Sequence, residues 1–224
     1  MTSLTREGDV MILDLGEGEH RFNGSTLDAI ESCLDEVEAA APCALVTSAR
    51  GKVWSNGLDL EWLSQQGEGA MRFVDRVQEL LARTLELPVP TVAALQGHVF
   101  AAGAMFALAH DQRVMRADRG FFCLPEVDIG LPFTPGMSAL IASRLPVATA
   151  LEAMTTGRRY GGEQAAAAGI VDEAAEQQQV LARALERAAA LTGKDPATLR
   201  TIKQRLHERP LAALRGQLAA ESIV

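Results

Sequence analysis

The chain has 224 residues, of which 48% are hydrophobic and 4% aromatic, and this composition predicts one large globular domain or two smaller ones. Its formal net charge of -8 argues against a nucleic-acid surface, because phosphate binding requires clustered lysine and arginine. The three cysteines, Cys33, Cys43 and Cys123, lack the spacing of a metal site, and their odd number indicates reduced thiols of an intracellular protein.

Two features bear on targeting and membrane association. The N-terminal stretch carries Glu7 and Asp9 and lacks a long apolar core, so it resembles neither a signal peptide nor a transit peptide. The most apolar segment, residues 91–110, is interrupted by Gln96 and His98, which favours a buried strand, turn and helix over a membrane span. We therefore predict a cytoplasmic protein that does not associate with membranes.

Hydrophobic periodicity predicts strands that alternate with helices in the first part of the chain. The helix predicted over 25–40 carries an apolar stripe at Leu27, Ile30 and Leu34, whereas the short apolar run 43–48 is typical of a buried strand. The predicted elements are strands at 10–15, 43–48, 91–95, 112–117 and 120–124, and helices at 25–40, at 69–87 and from near Ala102.

Beyond Pro135 the pattern becomes almost entirely helical. Strands that alternate with helices, followed by a run of helices, predict the α/β class with a helical C-terminal portion. We predict a core with the active site over 1–165 and an oligomerising C-terminal portion over 166–224 that is not an independent domain. The later helices are predicted at 136–144, 147–155, 162–168, 176–193, 195–207 and 210–221.

Two loops that follow strands have small residues at the start of a predicted helix. In the loop 52–63, Gly57 precedes a helix start at Leu58, and in the loop 97–111 a run of small residues includes Ala102. The first N–H groups of a helix have no partner within it, so such loops can stabilise developing negative charge. Taken singly, each loop also fits an ordinary turn or close helix–sheet packing.

A third loop, FFCLPEVDIGLPF over residues 121–133, places the carboxylate of Glu126 among apolar side chains. An ionised carboxylate loses hydration in such surroundings, although a glutamate that follows a proline is also common as a solvated loop residue. Together with the two loops above, Glu126 completes the groups that an enzyme needs to stabilise an enolate and move a proton. Burial of this side chain is expected to raise the pKa of Glu126.

Four segments, GKVWSNGLDL, GHVFAAGAMFALAHD, GFFCLPEVDIGL and AAGIVDE, resemble in order and spacing the signature segments of the crotonase superfamily, the enoyl-CoA hydratase/isomerase family. The resemblance implies a crotonase-like fold, a spiral of ββα units with a helical C-terminal portion. It also implies an acyl-CoA thioester as substrate and a homotrimer or dimer of trimers. No metal or redox cofactor is implied, because coenzyme A is part of the substrate.

The resemblance also implies roles for single residues. The main-chain N–H groups of Leu58 and Ala102 correspond to the two donors of the family's oxyanion hole. Hydratases of the family have two glutamates; Glu126 stands at one of these positions and Met105 at the other. Hydration uses both carboxylates, whereas moving a double bond from carbon 3 to carbon 2 needs one base. The chain therefore resembles the Δ3,Δ2-enoyl-CoA isomerases, with Glu126 as the catalytic base.

Further side chains are expected to contact the substrate. An apolar pocket for the acyl chain, which would keep water from the enolate, is predicted from Met105, Phe122 and Phe133. Candidate ligands for the phosphates of coenzyme A are Arg50, Lys52 and Lys203. For each of these three bases, an ordinary solvated surface position is an equal interpretation.

Two alternatives to the isomerase interpretation stay open. The same scaffold can carry out hydration of an enoyl-CoA or another crotonase-type acyl-CoA reaction, and assays with 2-enoyl-CoA and 3-enoyl-CoA distinguish these activities. The chain can also be a non-catalytic acyl-CoA-binding member of the superfamily, because a fold can persist without its chemistry. The presence of Glu126 together with both donor loops favours an enzyme.

Overall fold

The computed structural model describes residues 1–216 of the chain. Strands and helices alternate through the first part, and helices predominate in the remainder. The strands are β1 Ser3–Glu7, β2 Val10–Glu17, β3 Arg21–Phe22, β4 Ala44–Arg50, β5 Val53–Ser55, β6 Gly57–Leu58, β7 Thr91–Leu95, β8 His98–Phe100, β9 Gln112–Arg116, β10 Phe122–Cys123 and β11 Glu173–Ala175. The α-helices are α1 Gly24–Ala39, α2 Leu60–Ser64, α3 Gly69–Leu85, α4 Ala102–Ala109, α5 Glu126–Ile129, α6 Pro135–Arg144, α7 Val147–Thr156, α8 Gly162–Ala167, α9 Val180–Ala189, α10 Pro196–Leu206 and α11 Glu208–Leu214.

Six strands form the main sheet in the order β1-β2-β4-β7-β9-β11. β1 pairs with β2 in antiparallel orientation, and the neighbours that follow are parallel. Residues 44–49 of β4 are all buried, because a parallel strand with both faces covered is apolar along its length. This burial explains why the apolar run 43–48 predicted a strand.

Each face of the main sheet has its own hydrophobic core. Leu45 belongs to the larger core, which includes the apolar stripes of α1 and α3, whereas its neighbour Val46 belongs to a smaller core covered by α9. Successive side chains of a strand point to opposite faces, so β4 contributes to both cores. α9 buries Val180, Ala184 and Ala188 at steps of four residues, which is the period of an amphipathic helix.

Three consecutive segments repeat one arrangement. A strand of the main sheet leads into a strand of a smaller sheet and then into helical residues: β4 to β5, β7 to β8, and β9 to β10. The smaller sheet is parallel, in the order β10-β8-β5, so the carboxyl ends of its strands lie at one edge. The loops that carry Leu58, Ala102 and Glu126 follow these ends. The predicted spiral of ββα units is confirmed, and it brings the three predicted loops together.

The C-terminal helices pack on this core. α11 contacts α3 and α6, and α10 is attached through Lys203, whose Nζ lies 2.9 Å from the carbonyl oxygen of Val89 and 2.6 Å from Asp111 Oδ2. The division of the chain between residues 165 and 166 stays a prediction. Within residues 1–216, no helix combines the length and the apolar character needed to cross a bilayer.

Several element boundaries differ from those predicted. Gly57 and Leu58 pair with Arg21–Phe22 as a short parallel strand, so the next helix begins at Leu60 rather than at Leu58. Strand pairing with β3, which has only two residues, gave no periodic signal in the sequence.

The C-terminal portion shows two further differences. The segment 176–193 contains a 3-10 turn before α9 begins at Val180, and β11 pairs with β9 at a site where no strand was predicted. The helix predicted over 210–221 corresponds to α11, which ends at Leu214. Residues 217–221 of that prediction lie outside the described part of the chain.

Candidate active site

A cavity of about 370 Å³ lies where the three loops meet. Most of its lining side chains are apolar, so it suits an acyl chain better than a polar ligand. Five residues predicted for the site line it, namely Leu58, Ala102, Met105, Glu126 and Phe133. The other lining residues are Arg21, Asn56, Leu60, Leu63, Val74, Phe100, Ala101, Pro125, Ile129, Leu131, Pro132, Thr134 and Met137.

The first two loops touch through Gly57 and Ala102. Gly57 has φ of +75°, and a Cβ atom added at this position would lie 2.7 Å from the amide nitrogen of Ala102. Only glycine tolerates both this backbone angle and this close approach. Ala101 also has a positive φ, 51°, which costs about 1–3 kcal/mol for a residue with a side chain. Such strain is typical of functional sites, where the surrounding structure holds it in place.

Some main-chain amides near the cavity already donate a hydrogen bond within the described part of the protein, and others do not. On either side of β6, the amides of Asn56 and Asp59 donate to the carbonyl oxygens of Glu19 and Phe22, both at 3.0 Å, and Leu58 lies between these donors. Ala102 is the first residue of α4, and N–H groups in the first turn have no acceptor within their helix. Among the described residues, the amide of Ala102 donates to no protein acceptor.

Glu126 is the first residue of α5 and is 7% exposed. Its Oε2 atom has no hydrogen-bond partner among the described residues. Burial raises the pKa of Glu126 to about 7, and a main-chain hydrogen bond opposes this shift only in part. A carboxyl group with such a pKa can both accept and return a proton near neutral pH.

Met105 lies on α4 one turn after Ala102 and is 1% exposed. Of the residues that line the cavity, Glu126 is the only one with a carboxylate. The thioether of Met105 therefore faces a space with a single acid–base group. In the described part of the chain, no cluster of three or more histidine, cysteine, aspartate or glutamate side chains is arranged to hold a metal ion.

Phe122 does not line the cavity. It is fully buried in β10, pairs with Val99 of β8 and belongs to the larger hydrophobic core. The expectation that it forms the acyl pocket is corrected, because its ring packs within the larger hydrophobic core and not against the cavity. Phe122 is close to Glu126 in sequence, but this closeness does not determine the direction of its ring.

The three bases predicted for coenzyme A lie away from the cavity lining. Arg50 and Lys52 line a separate recess with Arg116 and Arg119, and Arg50 pairs with Asp14 at 3.0 Å. Lys203 is 4% exposed, and its ammonium group is engaged by Asp111 and by a carbonyl oxygen. Lys203 is thus corrected from a phosphate ligand to a buried ion-pair residue.

Three polar residues of the cavity were not predicted: Arg21, Asn56 and Thr134. Asn56 directly precedes Gly57 in the first loop, so its position in that motif was an available signal. The Oδ1 atom of Asn56 is buried without a partner among the described residues. Arg21 reaches the cavity only through the pairing of β3 with β6, and this pairing left no signal in the sequence.

Comparison with known proteins agrees with the fold. A profile described as Enoyl-CoA hydratase/isomerase matches residues 20–224. Enoyl-CoA delta isomerase 3 from Arabidopsis thaliana is 42% identical over 183 residues, which cover 78% of this chain and 77% of that protein. The peroxisomal enoyl-CoA delta isomerase 2 of the same plant is 40% identical over 185 residues, with the same coverage of 78% and 77%.

A solved structure gives a matching result for the fold. The apo enoyl-CoA isomerase from Mycobacterium tuberculosis has a TM-score of 0.87 and 28% sequence identity. The superposition covers 96% of this chain and 94% of that one. The chain therefore belongs to the enoyl-CoA hydratase/isomerase family, as its resemblance to the crotonase superfamily predicted.

Proposed function

We propose that this protein is a Δ3,Δ2-enoyl-CoA isomerase, which moves the double bond of an acyl-CoA thioester from carbon 3 to carbon 2. The observation that carries the proposal is the single buried carboxyl group of Glu126, with a raised pKa, in an apolar cavity next to Leu58 and Ala102. Relatives at 40% and 42% identity that bear the name enoyl-CoA delta isomerase support this reaction.

Glu126 is proposed to act first as a base and then as an acid. Its carboxylate removes a proton from carbon 2, and the electron pair of that C–H bond moves into the thioester to form a dienolate. The carboxyl group then returns the proton to carbon 4, while the thioester carbonyl and the double bond between carbons 2 and 3 form. The substrate gains and loses no atoms, so one group with a pKa near neutrality suffices.

The negative charge of the dienolate oxygen is proposed to rest on the main-chain N–H groups of Leu58 and Ala102. The close contact of Gly57 with the Ala102 amide supports this role, because it brings the two loops within reach of one oxygen atom. Fixed donors of this kind act strongly where water is excluded, and loss of one typically lowers the rate by about 100- to 1000-fold.

Isomerisation is favoured over hydration by what surrounds Glu126. Addition of water requires a group that positions the water molecule, and the position of the second family glutamate holds Met105. Apolar side chains such as those of Met105 and Phe133 also leave a water molecule without hydrogen-bond partners. We further propose that the enzyme needs no metal or redox cofactor and assembles as a homotrimer or a dimer of trimers.

Substrate assays test the proposed reaction directly. Purified protein is incubated separately with a 3-enoyl-CoA and with the 2-enoyl-CoA of equal length, and the products are identified by mass and by NMR. We expect the 3-enoyl-CoA to be converted into the 2-enoyl isomer, and little 3-hydroxyacyl-CoA to form. Rapid formation of the hydroxy product would support the hydratase alternative, and binding without turnover would support a non-catalytic role.

The phosphates of coenzyme A require basic residues of their own. Arg50 and Lys52 stay predictions for phosphate binding, and their recess shares no lining residue with the cavity. Arg21, in contrast, lines the cavity and is exposed, so it is a candidate for the thioester's charged end. A Km increase in Arg21→Ala, with unchanged kcat, is the expected sign of that contact.

A further inference from the structure

The lining of the cavity combines exposed and buried side chains. Leu60 and Ile129 are 42% and 49% exposed, so the cavity is accessible beside them. Val74 of α3 and Met137 of α6 are only 4% and 5% exposed, although both line the same cavity. We call the part lined by Val74 and Met137 the closed end, and we expect an acyl chain that enters beside Leu60 and Ile129 to place its terminal carbons there.

Hydrogen bonds fix the closed end. The hydroxyl group of Thr134, which also lines the cavity, donates to Gln78 Oε1 at 2.7 Å and accepts from the N–H of Met137 at 3.1 Å. Gln78 is fully buried, so this pairing leaves Thr134 no freedom to rotate away without losing a buried hydrogen bond. Met137 is thereby held at the end of the cavity.

A second layer of main chain lies behind this end. A Cβ atom added at Gly136 would lie 2.7 Å from the Cα atom of Leu214 in α11, which shows how closely α6 and α11 approach. Close-packed interiors of this kind do not expand to admit additional methylene groups without strain. The closed end therefore acts as a fixed floor rather than as a flexible side of the cavity.

We infer that Val74 and Met137 form a floor that limits the length of the acyl chain that the cavity holds; this inference rests on the proposed function. The cavity of about 370 Å³ is bounded at this floor by closely packed helices. A chain that is longer than the distance to the floor therefore finds no further space there.

This floor predicts a break in a chain-length series. Each methylene group that enters the apolar cavity strengthens binding by about fourfold. A chain that reaches beyond Val74 and Met137 must bend or leave its end in water, so the gain stops. We expect affinity to rise through the shorter chains of the series from butyryl-CoA to palmitoyl-CoA and then to level off or fall at the longer ones.

Calorimetric titration with saturated acyl-CoA thioesters, from butyryl-CoA to palmitoyl-CoA, tests the floor without requiring turnover. Val74→Ala removes two carbon atoms from the floor and is expected to move the break to chains about two carbons longer. Val74→Ile adds one carbon atom and is expected to move the break about one carbon shorter. Val77→Ala is the matched control, because Val77 is fully buried on the same helix but does not line the cavity.

The two Val74 variants differ little from the natural chain in volume, so a shift in opposite directions cannot result from misfolding. Affinity that keeps rising up to palmitoyl-CoA, or a break that stays unchanged in both Val74 variants, would overturn the inference. The same shift in Val77→Ala would overturn it as well, because it would show a general effect of core changes. A clear break in a protein that fails to isomerise any 3-enoyl-CoA would reject the proposed reaction and yet support the floor.

Discussion

Lys203 and Glu126 are ionisable side chains buried in two different regions of the molecule, and their surroundings differ. Lys203 is 4% exposed and Glu126 is 7% exposed. The ammonium group of Lys203 has a carboxylate partner in Asp111 at 2.6 Å and a carbonyl partner in Val89 at 2.9 Å. The Oε2 atom of Glu126 has no partner among the described residues.

The pKa shifts of these two groups follow the same contrast. Burial lowers the pKa of Lys203, and Asp111 opposes the shift by favouring the charged form. Burial raises the pKa of Glu126 to about 7, and only a main-chain hydrogen bond opposes this shift. A paired buried charge joins two elements of the fold, whereas an unpaired one is retained at a cost in stability and is available for chemistry. The two regions should therefore respond differently to substitution.

Glu126→Gln is expected to have the largest effect on activity. The amide keeps the shape of the side chain but cannot remove a proton from carbon 2, so kcat for 3-enoyl-CoA isomerisation should fall by about 100- to 10,000-fold. Product formation from a medium-chain 3-enoyl-CoA measures this loss. Calorimetric binding of a saturated acyl-CoA serves as the control and should stay within a few-fold. A kcat within tenfold of the natural enzyme would remove Glu126 from the proposed mechanism.

Gly57→Ala is expected to lower kcat by about 100-fold, because an added Cβ would meet the Ala102 amide at 2.7 Å and separate the two proposed donors. Gly67→Ala provides a matched control. Gly67 also has a positive φ, 52°, but nothing lies within 4 Å of an added Cβ. Gly67→Ala should lose about 1 kcal/mol of stability through its backbone angle alone. Gly57→Ala should lose more, because the added Cβ also meets main-chain atoms, and only Gly57→Ala should lose activity. Equal kcat values in the two variants would contradict a role for this contact.

Whereas Glu126→Gln should lower activity, Lys203→Met should lower stability and leave activity nearly unchanged. It leaves Asp111 without its buried cation, so the free energy of unfolding should fall by about 3 kcal/mol, while kcat/KM stays within a few-fold of the natural value. Urea denaturation measures the first quantity and the isomerase assay the second. Lys194→Met, at an exposed position, is the control and should change neither. A strong loss of kcat/KM in folded Lys203→Met would place this region in the active site after all.

The buried carboxyl group of Glu126 also makes the stability of the protein depend on pH. The folded-state pKa of Glu126, about 7, lies above its ordinary value of 4.5. Between these values the folded protein holds a proton that the unfolded chain has released, so stability falls as pH rises through this window. Glu126→Gln removes this loss and should be more stable than the natural enzyme by about 3 kcal/mol above neutral pH, and by less than about 1 kcal/mol near pH 5. Denaturation at both pH values tests this; a variant less stable at high pH would contradict it.

Sequence reasoning predicted the reactive part of the site because its signals are local. Small residues before a helix, and a carboxylate in an apolar loop, are visible in short segments, and Leu58, Ala102 and Glu126 do line one cavity. Hydrophobic periodicity is also a local signal, and it predicted the order of the strands and helices. The amphipathic helix α3, Gly69–Leu85, deviates little from its prediction over 69–87.

Other features depend on contacts between distant segments and left no local signal. Whether the ring of Phe122 points to the cavity or the core is set by the pairing of β10 with β8. Lys203 is buried because α10 docks beside Asp111, which is far away in sequence. Arg21 and Thr134 enter the cavity through β3–β6 pairing and the start of α6. Tertiary contacts set the directions of these side chains, and the sequence pattern alone did not predict them.

The pH dependence of kcat/KM for a medium-chain 3-enoyl-CoA tests most directly whether Glu126 moves the proton. The reaction begins with the ionised carboxylate of the free enzyme, so kcat/KM should rise about tenfold per pH unit below an inflection near pH 7 and then level off. Glu126→Gln should show no such inflection in its residual activity. A natural enzyme whose kcat/KM is constant between about pH 5 and about pH 8 would contradict this role of the buried, unpaired carboxyl group.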